Sequence, residues 1–336
     1  MANPDREAEY LGMLNQAQRE AAAFGSRKDG GSFVAGPMLV IAGAGTGKTM
    51  TLAHRVAHLV IEGTHPERIL LLTFTRRAAE EMTRRVENIV RATMRDAVPL
   101  PAGGLPWSGT IHSVANRLLR HFAGNLGLDP GFSVLDRGDA ADMLDVVRHE
   151  RRLSRTSRRF PKQDTCLAIY SRCVNAQKTL DETLEQFYPW CSDWSDELAD
   201  LFRHYVERKQ HCQSLDYDDL LLYWNHLVAD AEFAREIGSW FDHVLVDEYQ
   251  DTNLVQAQIL HALKPDGRGV TVVGDDAQSI YSFRAAEVEN ILGFPDRFMP
   301  TAKVVTLEQN YRSTQAVLDT ANCLIAESER QYRKNL

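Results

Sequence analysis

The chain has 336 residues, of which 44% are hydrophobic and 25% are charged, so a folded protein with more than one domain is expected and bulk disorder is excluded. The formal net charge of −8 gives no overall attraction to nucleic acid, so any such contact must rest on local basic patches or on stacking. Five cysteines without a C-x-x-C pair favour free thiols in a reducing compartment. The polar first residues and the lack of a membrane-length apolar run predict a cytoplasmic protein.

The first predicted element is a helix that opens at residues 14–18, with Asn15 as its N-cap. A glycine-rich and charged stretch at residues 25–36 predicts a surface loop. The apolar residues 38–41 then predict a buried strand, and apolar residues at helical spacing predict a helix from about residue 50. Between that strand and that helix lies the sequence AGAGTGKT, residues 42–49.

This segment is close to the phosphate-loop pattern G-x-x-x-x-G-K-[ST]. Its glycines allow backbone N–H groups to converge on an anion, and the helix N-terminus adds positive potential. Lys48 is expected to reach the β- and γ-phosphates of ATP, and Thr49 to hold Mg²⁺; the alternative is a chance glycine turn. The predicted nucleotide-binding residues of the loop are Ala42, Gly43, Ala44, Gly45, Thr46, Gly47, Lys48 and Thr49.

Further strands alternate with helices along the chain, which indicates an α/β protein with a parallel, doubly wound sheet. The short apolar runs that predict them lie at 69–73, 107–111, 243–246, 269–273 and 303–307. From about residue 113 to 213 helical periodicity dominates, which predicts an inserted subdomain because structureless loops of that length are rare. The predicted division is a first sheet segment at 1–112, an inserted helical subdomain at 113–213, a second sheet segment at 214–302 and a further unit begun at 303–336.

Two adjacent carboxylates, Asp247 and Glu248, directly follow the strand HVLV. The carboxyl ends of parallel strands are where such sheets place ligand chemistry. Asp247 is therefore expected to bind Mg²⁺ through water, and Glu248 to orient and deprotonate an attacking water. Gln278, after another strand, is placed to sense a γ-phosphate. The alternatives are a solvated pair of acids and a surface glutamine.

Eight ordered segments of the chain are together far more specific than any one motif. They are LNQAQREA (14–21), AGAGTGKT (42–49), LLTFTRRAAEEM (71–82), GTIHSVANRLLR (109–120), LDYDDLL (215–221), VLVDEYQDTN (244–253), VVGDDAQSIYSFRAA (272–286) and LEQNYRST (307–314). In this order they resemble the N-terminal, ATP-binding half of UvrD/Rep-type superfamily-one DNA helicases. The resemblance implies a RecA-like sheet with an inserted all-helical subdomain, the start of a second RecA-like domain, and ATP-driven 3′-to-5′ movement on single-stranded DNA.

The resemblance also implies roles for single residues in binding and hydrolysing ATP. Gln18 resembles the family's adenine-reading glutamine, and Tyr311 resembles the residue that stacks on adenine. Gln278 and Arg284 are similar to the pair that couples the γ-phosphate to bound DNA. Arg312 resembles the arginine finger, a class of residue worth roughly 10³–10⁵ in rate elsewhere. The expected catalytic residues are thus Lys48, Glu248, Gln278, Arg284 and Arg312.

The implied partners are single-stranded DNA and its junctions with duplex DNA. Phe74, Tyr281 and Phe283 are aromatic residues at loop positions, where bases could stack at about 1–3 kcal/mol each. Thr75 and His112 are expected to contact the DNA backbone or to line the same channel. Without the family, such aromatic residues would more often belong to a core.

A basic run between Arg148 and Lys162 contains seven lysine or arginine residues opposed only by Glu150. One interpretation is contact with duplex DNA ahead of the moving protein. The other is a solvated helix face and loop, and the sequence does not separate the two.

Four positions depart from the family pattern without removing a catalytic group. Met50 and Arg76 stand where arginine and asparagine are common. Phe283 stands where tryptophan is common, which keeps a stacking ring with a smaller face. Ala285 stands where glycine is usual.

The family pattern requires a second motor domain beyond LEQNYRST, and only about two dozen residues follow Arg312. The first hypothesis is therefore the ATPase motor portion of a DNA helicase, impaired in isolation because its nucleotide cleft lacks the opposite wall. The second is a naturally short module that binds ATP and DNA without translocating. The third is an unrelated phosphate-loop enzyme such as a small-molecule kinase, against which the DNA-track segments argue.

Overall fold

A computed structural model describes residues 10–28, 32–94, 104–153, 159–282, 285–327, 331–332 and 334. The strands are β1 (Ser26–Arg27), β2 (Phe33–Val34), β3 (Met38–Ala42), β4 (Ile69–Thr73), β5 (Ser108–Thr110), β6 (Ser133–Val134), β7 (Ser214–Leu215), β8 (His243–Val246), β9 (Val270–Gly274) and β10 (Lys303–Leu307). The helices are α1 (Gln16–Ala23), α2 (Lys48–Ile61), α3 (Arg76–Thr93), α4 (Ile111–His121), α5 (Arg137–Glu150), α6 (Gln163–Ala176), α7 (Leu180–Phe187), α8 (Ser195–His211), α9 (Tyr217–Ala229), α10 (Ala231–Ser239), α11 (Leu254–Leu263), α12 (Glu289–Leu292) and α13 (Gln315–Ala326).

The main sheet joins six of the described strands, all parallel, in the order β10–β3–β9–β8–β4–β5. Strand β3 is buried at every position, as expected for a strand covered on both faces. Each predicted strand is found within one residue at either end. The prediction of an α/β fold with a doubly wound parallel sheet is therefore confirmed.

Side chains that alternate along the strands separate the core into two layers. On one face, Met38 and Val40 pack with Val56 of α2 and Met82 of α3. On the other face, residues such as Leu39 lie in a cluster shared with α4, α9 and α11. Both faces of the sheet are thus covered by helices, which fixes the carboxyl ends of the strands as the accessible edge.

Helices α5 to α8 have a hydrophobic cluster of their own, separate from the clusters on the sheet. Its buried members include Leu144, Ile169, Leu198 and Leu201. Helix α4, in contrast, packs on the sheet through Val114 and its neighbours. Helices α5 to α8 form a helical stretch between β6 and β7. These two strands pair in parallel, so the chain enters and leaves the stretch at neighbouring positions. The division into domains stays a prediction.

A buried lysine joins the last helix of this stretch to α9. Lys209 is 2% exposed, and its Nζ lies 2.7 Å from Asp216 and 2.6 Å from Asp219. The hydroxyl of Tyr205 donates to the same Asp216 carboxylate over 2.7 Å. Because removing one partner of a buried ion pair typically costs about 3–5 kcal/mol, this cluster holds α8 firmly against α9.

The N-terminal helix begins as expected, whereas the loop after it is more ordered than expected. The Asn15 side chain accepts from the Gln18 N–H over 2.9 Å, and the Gln18 side chain accepts from the Asn15 N–H over 3.1 Å. The prediction that residues 25–36 form only a loop is wrong, since β1 and β2 pair there in antiparallel fashion. Phe33 explains this difference, because its ring is buried in the core and so holds β2 against the rest of the protein. No helix in the described part of the chain is long and apolar enough to span a bilayer.

Two buried histidines lie close to Phe33: His58 on α2 and His243 at the start of β8. The Nδ1 of His58 lies 2.6 Å from the Tyr10 hydroxyl, and the His58 ring meets Phe33 edge to face. Burial lowers the pKa of His58 to about 3, and the charges of Arg55 and Arg27 and the nearby His243 lower it further. Burial likewise lowers the pKa of His243 to about 4, with Arg55 adding to the effect.

The contribution of these two histidines to the free energy of unfolding should therefore fall as the pH drops below about 6.5, the pKa of an unfolded histidine. Between that pH and the folded pKa values, the unfolded chain binds protons that the folded protein excludes. Each histidine then steepens the loss by up to about 1.4 kcal/mol per pH unit. Urea unfolding between pH 7.5 and 5 measures it, and His58→Gln should lower the slope by roughly half of the two-histidine effect. The exposed His65→Gln is the control, and an unchanged slope in His58→Gln would contradict the prediction.

Candidate nucleotide-binding and nucleic-acid site

The carboxyl ends of β3, β8, β9 and β10 lie side by side, because the strands of the main sheet run in one direction. A cavity of about 550 Å³ opens at this edge. It is bounded by the phosphate loop, the start of α1 and the turns that follow β8, β9 and β10. The predicted nucleotide-site residues that line it are Gln18, Gly43, Ala44, Gly45, Gly47, Lys48, Thr49, Glu248, Gln278, Tyr311 and Arg312.

Two glycines give the phosphate loop its shape. Gly45 and Gly47 have φ values of +87° and +88°, in the region that favours glycine. A Cβ added at Gly47 would lie 2.7 Å from the Gln18 Nε2, and one at Gly45 would lie 2.7 Å from the Cβ of Arg312. Helix α2 begins directly after Gly47, so its N-terminus adjoins the cavity and suits an anion.

Two predicted members of the loop are buried and do not form part of the cavity wall. Ala42 is the last residue of β3, fully buried, and stands where the pattern has its first glycine. An alanine fits there because the backbone is still an extended strand. Thr46 is also fully buried, and its hydroxyl donates to the Gly43 carbonyl over 2.9 Å. Neither side chain lines the cavity, so these two residues shape the loop.

An ion pair links the phosphate loop to the strand that carries the acids. The Nζ of Lys48 lies 2.9 Å from the Glu248 Oε2, and the Gln250 Nε2 donates to the same oxygen over 2.9 Å. Glu248 itself has left-handed backbone angles, with φ +51° and ψ +48°. Lys48 is mostly buried, so an anion that enters the cavity competes with Glu248 for a poorly hydrated ammonium.

The carboxyl group of Asp247 lies deep at the same edge. Burial raises its pKa to about 7, and the neighbouring Glu248 carboxylate adds to the rise. The Glu248 N–H donates to its Oδ1 over 3.1 Å. A buried carboxylate and the Thr49 hydroxyl are hard oxygen donors that fit Mg²⁺. Within the described residues no group of three acidic, histidine or cysteine side chains could hold a metal ion, so phosphate oxygens and water must complete such a site.

The opposite end of the cavity is formed by α1 and by the turn after β10. The Gln18 Nε2 donates to the Thr46 carbonyl over 2.9 Å, which joins α1 to the phosphate loop. The Asn15 Nδ2 donates to the Tyr311 hydroxyl over 3.0 Å. Tyr311 is 59% exposed, so part of its ring is accessible to a ligand in the cavity.

The turn after β10 is held to the phosphate loop by hydrogen bonds to two carbonyl groups of the loop. The Tyr311 N–H donates to the Gly45 carbonyl over 2.9 Å, and the Asn310 Nδ2 donates to the Ala44 carbonyl over 2.7 Å. The Asn310 side chain also accepts from the Arg312 N–H over 2.9 Å. Asn310 therefore helps to hold the turn that carries Tyr311 and Arg312, and sequence analysis assigned no role to it.

Sequence reasoning also missed Gln250 and Asp275, although both lie inside the quoted segments. The Gln250 side chain donates to Glu248 and accepts from the Asp275 N–H over 3.0 Å. The carboxylate of Asp275 accepts from the Gln278 amide. Gln278 is thus oriented by a buried aspartate, and Gln250 ties that aspartate to Glu248. Their position at strand ends was the signal that could have found them.

A second cavity, of about 490 Å³, lies between the sheet edge and the helical stretch. Asp247 and Glu248 belong to its wall, and Glu248 also belongs to the wall of the first cavity. Phe74 and His112, predicted to contact DNA, line it as well. The two cavities therefore adjoin at Glu248.

Aromatic and basic side chains border this second cavity. The rings of Phe74 and Tyr281 lie 5.0 Å apart, and those of His112 and Tyr217 lie 5.4 Å apart. The Arg172 guanidinium, on α6, donates to the Ser282 carbonyl over 2.7 Å. Phe74 is 38% exposed, so it remains open to a stacking partner. Paired rings and a cation beside an open groove are typical of surfaces that bind single-stranded nucleic acid.

The remaining predicted residues differ in what the structure says of them. Thr75 is exposed at the N-cap of α3, where its Oγ1 accepts from the Ala78 N–H over 3.1 Å. Phe283 and Arg284 lie outside the described residues. Ala285, next to them, has a φ of +59°, which gives a physical reason for the glycine usual in the family pattern.

The basic run is partly neutralised where it is described. Arg148 pairs with Asp145 over 2.6 Å, and Arg151 pairs with Asp200 over 2.6 Å. Residues 154–158 lie outside the described part of the chain. Arg148 and Arg151 thus have acidic partners on the same helical unit, as on a helix face that does not contact DNA.

The comparisons with known proteins agree with the geometry. The family model described as "UvrD/REP helicase N-terminal domain" matches residues 15–299. The chain belongs to the UvrD/Rep helicase family. This match covers most of the chain, from the cap of α1 to the residues before β10, and it confirms the resemblance carried by the eight segments.

Family members with a similar sequence are named as ATP-dependent DNA helicases PcrA. The protein of Bacillus subtilis is 35% identical over 98% of this chain and 41% of its own length. Those of Staphylococcus epidermidis and Leuconostoc citreum are each 35% identical over 90% of this chain, covering 39% and 38% of their own lengths. The chain thus spans about two fifths of the length of the curated relatives that it matches.

Asp247→Asn should raise the free energy of unfolding of the ligand-free protein at pH 8. At that pH the Asp247 carboxyl group is ionised, and burial makes its ionisation less favourable in the folded protein than in the unfolded chain. That penalty grows as the pH rises from about 4 to 7 and is fully present at pH 8. The expected gain is on the order of 1–3 kcal/mol. Urea unfolding in EDTA measures it, with the exposed Asp266→Asn as control. A less stable Asp247→Asn protein at pH 8 would count against the buried, ionised carboxylate.

Proposed function

We propose that the chain is the ATP- and DNA-binding motor portion of a 3′-to-5′ DNA helicase, which couples ATP hydrolysis to movement on single-stranded DNA. The observation that carries the proposal is the shared wall at Glu248. A cavity built for phosphate and a cavity bordered by aromatic rings meet at one carboxylate. A simple phosphate-loop kinase has no need of that second, aromatic cavity.

In this proposal the phosphate loop and the adjoining acids bind and hydrolyse ATP. Lys48 leaves Glu248 and binds the β- and γ-phosphates, which frees the Glu248 carboxylate to accept a proton from the attacking water. Thr49 and Asp247 would hold Mg²⁺, which supplies charge compensation for the phosphates when bound. The 2.9 Å contact between Lys48 and Glu248 supports this exchange, because the same ammonium cannot serve both partners fully.

The adenine is proposed to lie between the start of α1 and the turn after β10. Gln18 would exchange its bond to the Thr46 carbonyl for the edge of the base, and Tyr311 would stack on its face. Gln278 and Arg284 would respond to the γ-phosphate, and Arg312 would stabilise charge in the transition state. The support for Tyr311 is the exposed ring that Asn15 holds by its hydroxyl.

Single-stranded DNA is proposed to bind along the second cavity. Phe74, Tyr281 and Phe283 would stack on bases, while Thr75 and His112 would contact the backbone. Stacking suits this chain because its net charge of −8 offers no general attraction to phosphate. Junctions with duplex DNA are a further proposed substrate.

A second motor domain is the proposed partner in the intact protein. It would supply the opposite wall of the nucleotide cavity, where Tyr311 and Arg312 are exposed. We therefore expect the 336-residue chain to bind Mg²⁺-ATP weakly, to hydrolyse little of it and to unwind no DNA. Five free thiols support a reducing, cytoplasmic location.

The test uses a non-hydrolysable ATP analogue and oligo(dT) with the 336-residue chain. Analogue and DNA should alter each other's affinity by the same factor, at least about threefold, because coupling between two sites is reciprocal. Lys48→Ala should lose analogue binding. Glu248→Gln should keep it and lose at least about 100-fold in DNA-stimulated turnover when placed in the longest natural form of the protein.

Lys303→Ala is the matched control, since this exposed lysine pairs with Glu20 on the surface. It should leave both affinities unchanged. Analogue binding that is wholly indifferent to DNA would favour the small-molecule kinase. Undiminished turnover in both site variants would refute the assignment of the site.

A further inference from the structure

The last described residues return from α13 to the edge of the main sheet. The Tyr332 N–H donates to the Asp276 carboxylate over 3.0 Å. Its hydroxyl donates to the carbonyls of Ile291 and Leu292 at 3.2 and 3.1 Å. The backbone and the ring of Tyr332 thus dock this segment on the turn after β9 and on α12.

Lys334 follows and places its ammonium between two adjacent acids of that turn. Its side chain is 1% exposed, and its Nζ contacts Asp275 and lies 2.6 Å from the Asp276 Oδ1. The side chains of Asp275 and Asp276 are 3% and 2% exposed. Two buried carboxylates side by side repel each other unless a cation lies between them. Lys334 is that cation, and it lies 58 residues after Asp276 in the sequence.

Asp275 connects Lys334 to residues that line the nucleotide cavity. One of its oxygens contacts Lys334, and the other accepts from the Gln278 amide. Its backbone N–H donates to Gln250, which donates in turn to Glu248. A continuous chain of polar contacts therefore runs from Lys334 through Asp275 to Gln278, and through Gln250 to the Glu248–Lys48 pair.

We propose that Lys334 is a positioning residue of the nucleotide site, which holds Asp275 so that Asp275 orients Gln278 toward the γ-phosphate. The proposal rests on the proposed function, in which Gln278 responds to that phosphate. Lys334 does not line the nucleotide cavity, so its influence passes through Asp275. Lys334 lies outside the eight quoted segments, so the nucleotide site would also depend on a part of the chain that they do not include.

A purely structural lysine would change stability alone, so the readout must depend on the γ-phosphate. The ratio of AMP-PNP to ADP affinity, measured by calorimetry on the 336-residue chain, is such a readout. Both ligands carry the same adenine, ribose and β-phosphate. Loss of a correctly aimed Gln278 lowers only the affinity for the nucleotide with a third phosphate.

Lys334→Met should lower that ratio about tenfold, the expected effect of one hydrogen bond to a charged group, and leave ADP affinity within about twofold. Lys334→Arg should restore much of the ratio. Gln278→Ala should lower the ratio similarly, and the double variant Lys334→Met with Gln278→Ala should be no worse than Gln278→Ala alone. Lys303→Met, on the exposed surface, is the control lysine.

Lys334→Met leaves two buried acids unpaired and is at risk of not folding. The double variant Lys334→Gln with Asp276→Asn keeps the formal charge of the cluster and still removes the ammonium from Asp275. It should show the same loss of ratio, while Asp276→Asn alone should keep the ratio of the unmodified protein.

A normal ratio in the folded Lys334→Gln, Asp276→Asn protein would overturn the proposal. So would effects of Lys334 and Gln278 that add fully. If the unmodified protein binds neither nucleotide, the proposed function fails first, and the inference falls with it. If it binds both with a clear preference for AMP-PNP and the Lys334 variants keep that preference, only the inference fails.

Discussion

The common direction of the main-sheet strands is the constraint on which the site depends. Parallel strands that are joined through helices place all their carboxyl ends on one edge. In this chain that edge collects the phosphate loop after β3, the acids after β8, the turn after β9 and the turn after β10. Residues as distant in sequence as Gly45 and Tyr311 are therefore in direct hydrogen-bond contact. An antiparallel sheet with the same sequence segments would divide them between two edges.

The sequence predicted the elements of this arrangement because their signals are local. Apolar runs followed by glycines or acids marked the strands and their ends, and the eight segments marked the family. The contacts that hold the site are not local. Asn310 supports the phosphate loop and Gln250 supports Glu248, and neither residue is special until the fold brings its partner close. Phe33 similarly escaped prediction, because a single buried ring within a glycine-rich stretch has no periodicity.

The helical stretch contributes residues to the wall of the second cavity. Its helix α6 borders the second cavity, and Arg172 on that helix contacts the carbonyl of Ser282, next to the predicted DNA-contacting Tyr281. Lys209, at the other end of the stretch, is buried between Asp216 and Asp219. The stretch is thus anchored on α9 by a charge cluster and touches the aromatic turn by a polar contact.

The left-handed backbone of Glu248 has a consequence for how this site can vary. A residue with a side chain costs about 1 kcal/mol or more at such angles, whereas glycine adopts them freely. The residue that the backbone conformation alone favours here is therefore glycine, which lacks the carboxylate that both cavities share. The neighbouring contacts from Gln250 and Lys48 hold the glutamate in place despite that cost. Backbone conformation and chemistry thus favour different amino acids at position 248, and a change to glycine there would relieve the backbone while removing the carboxylate that pairs with Lys48.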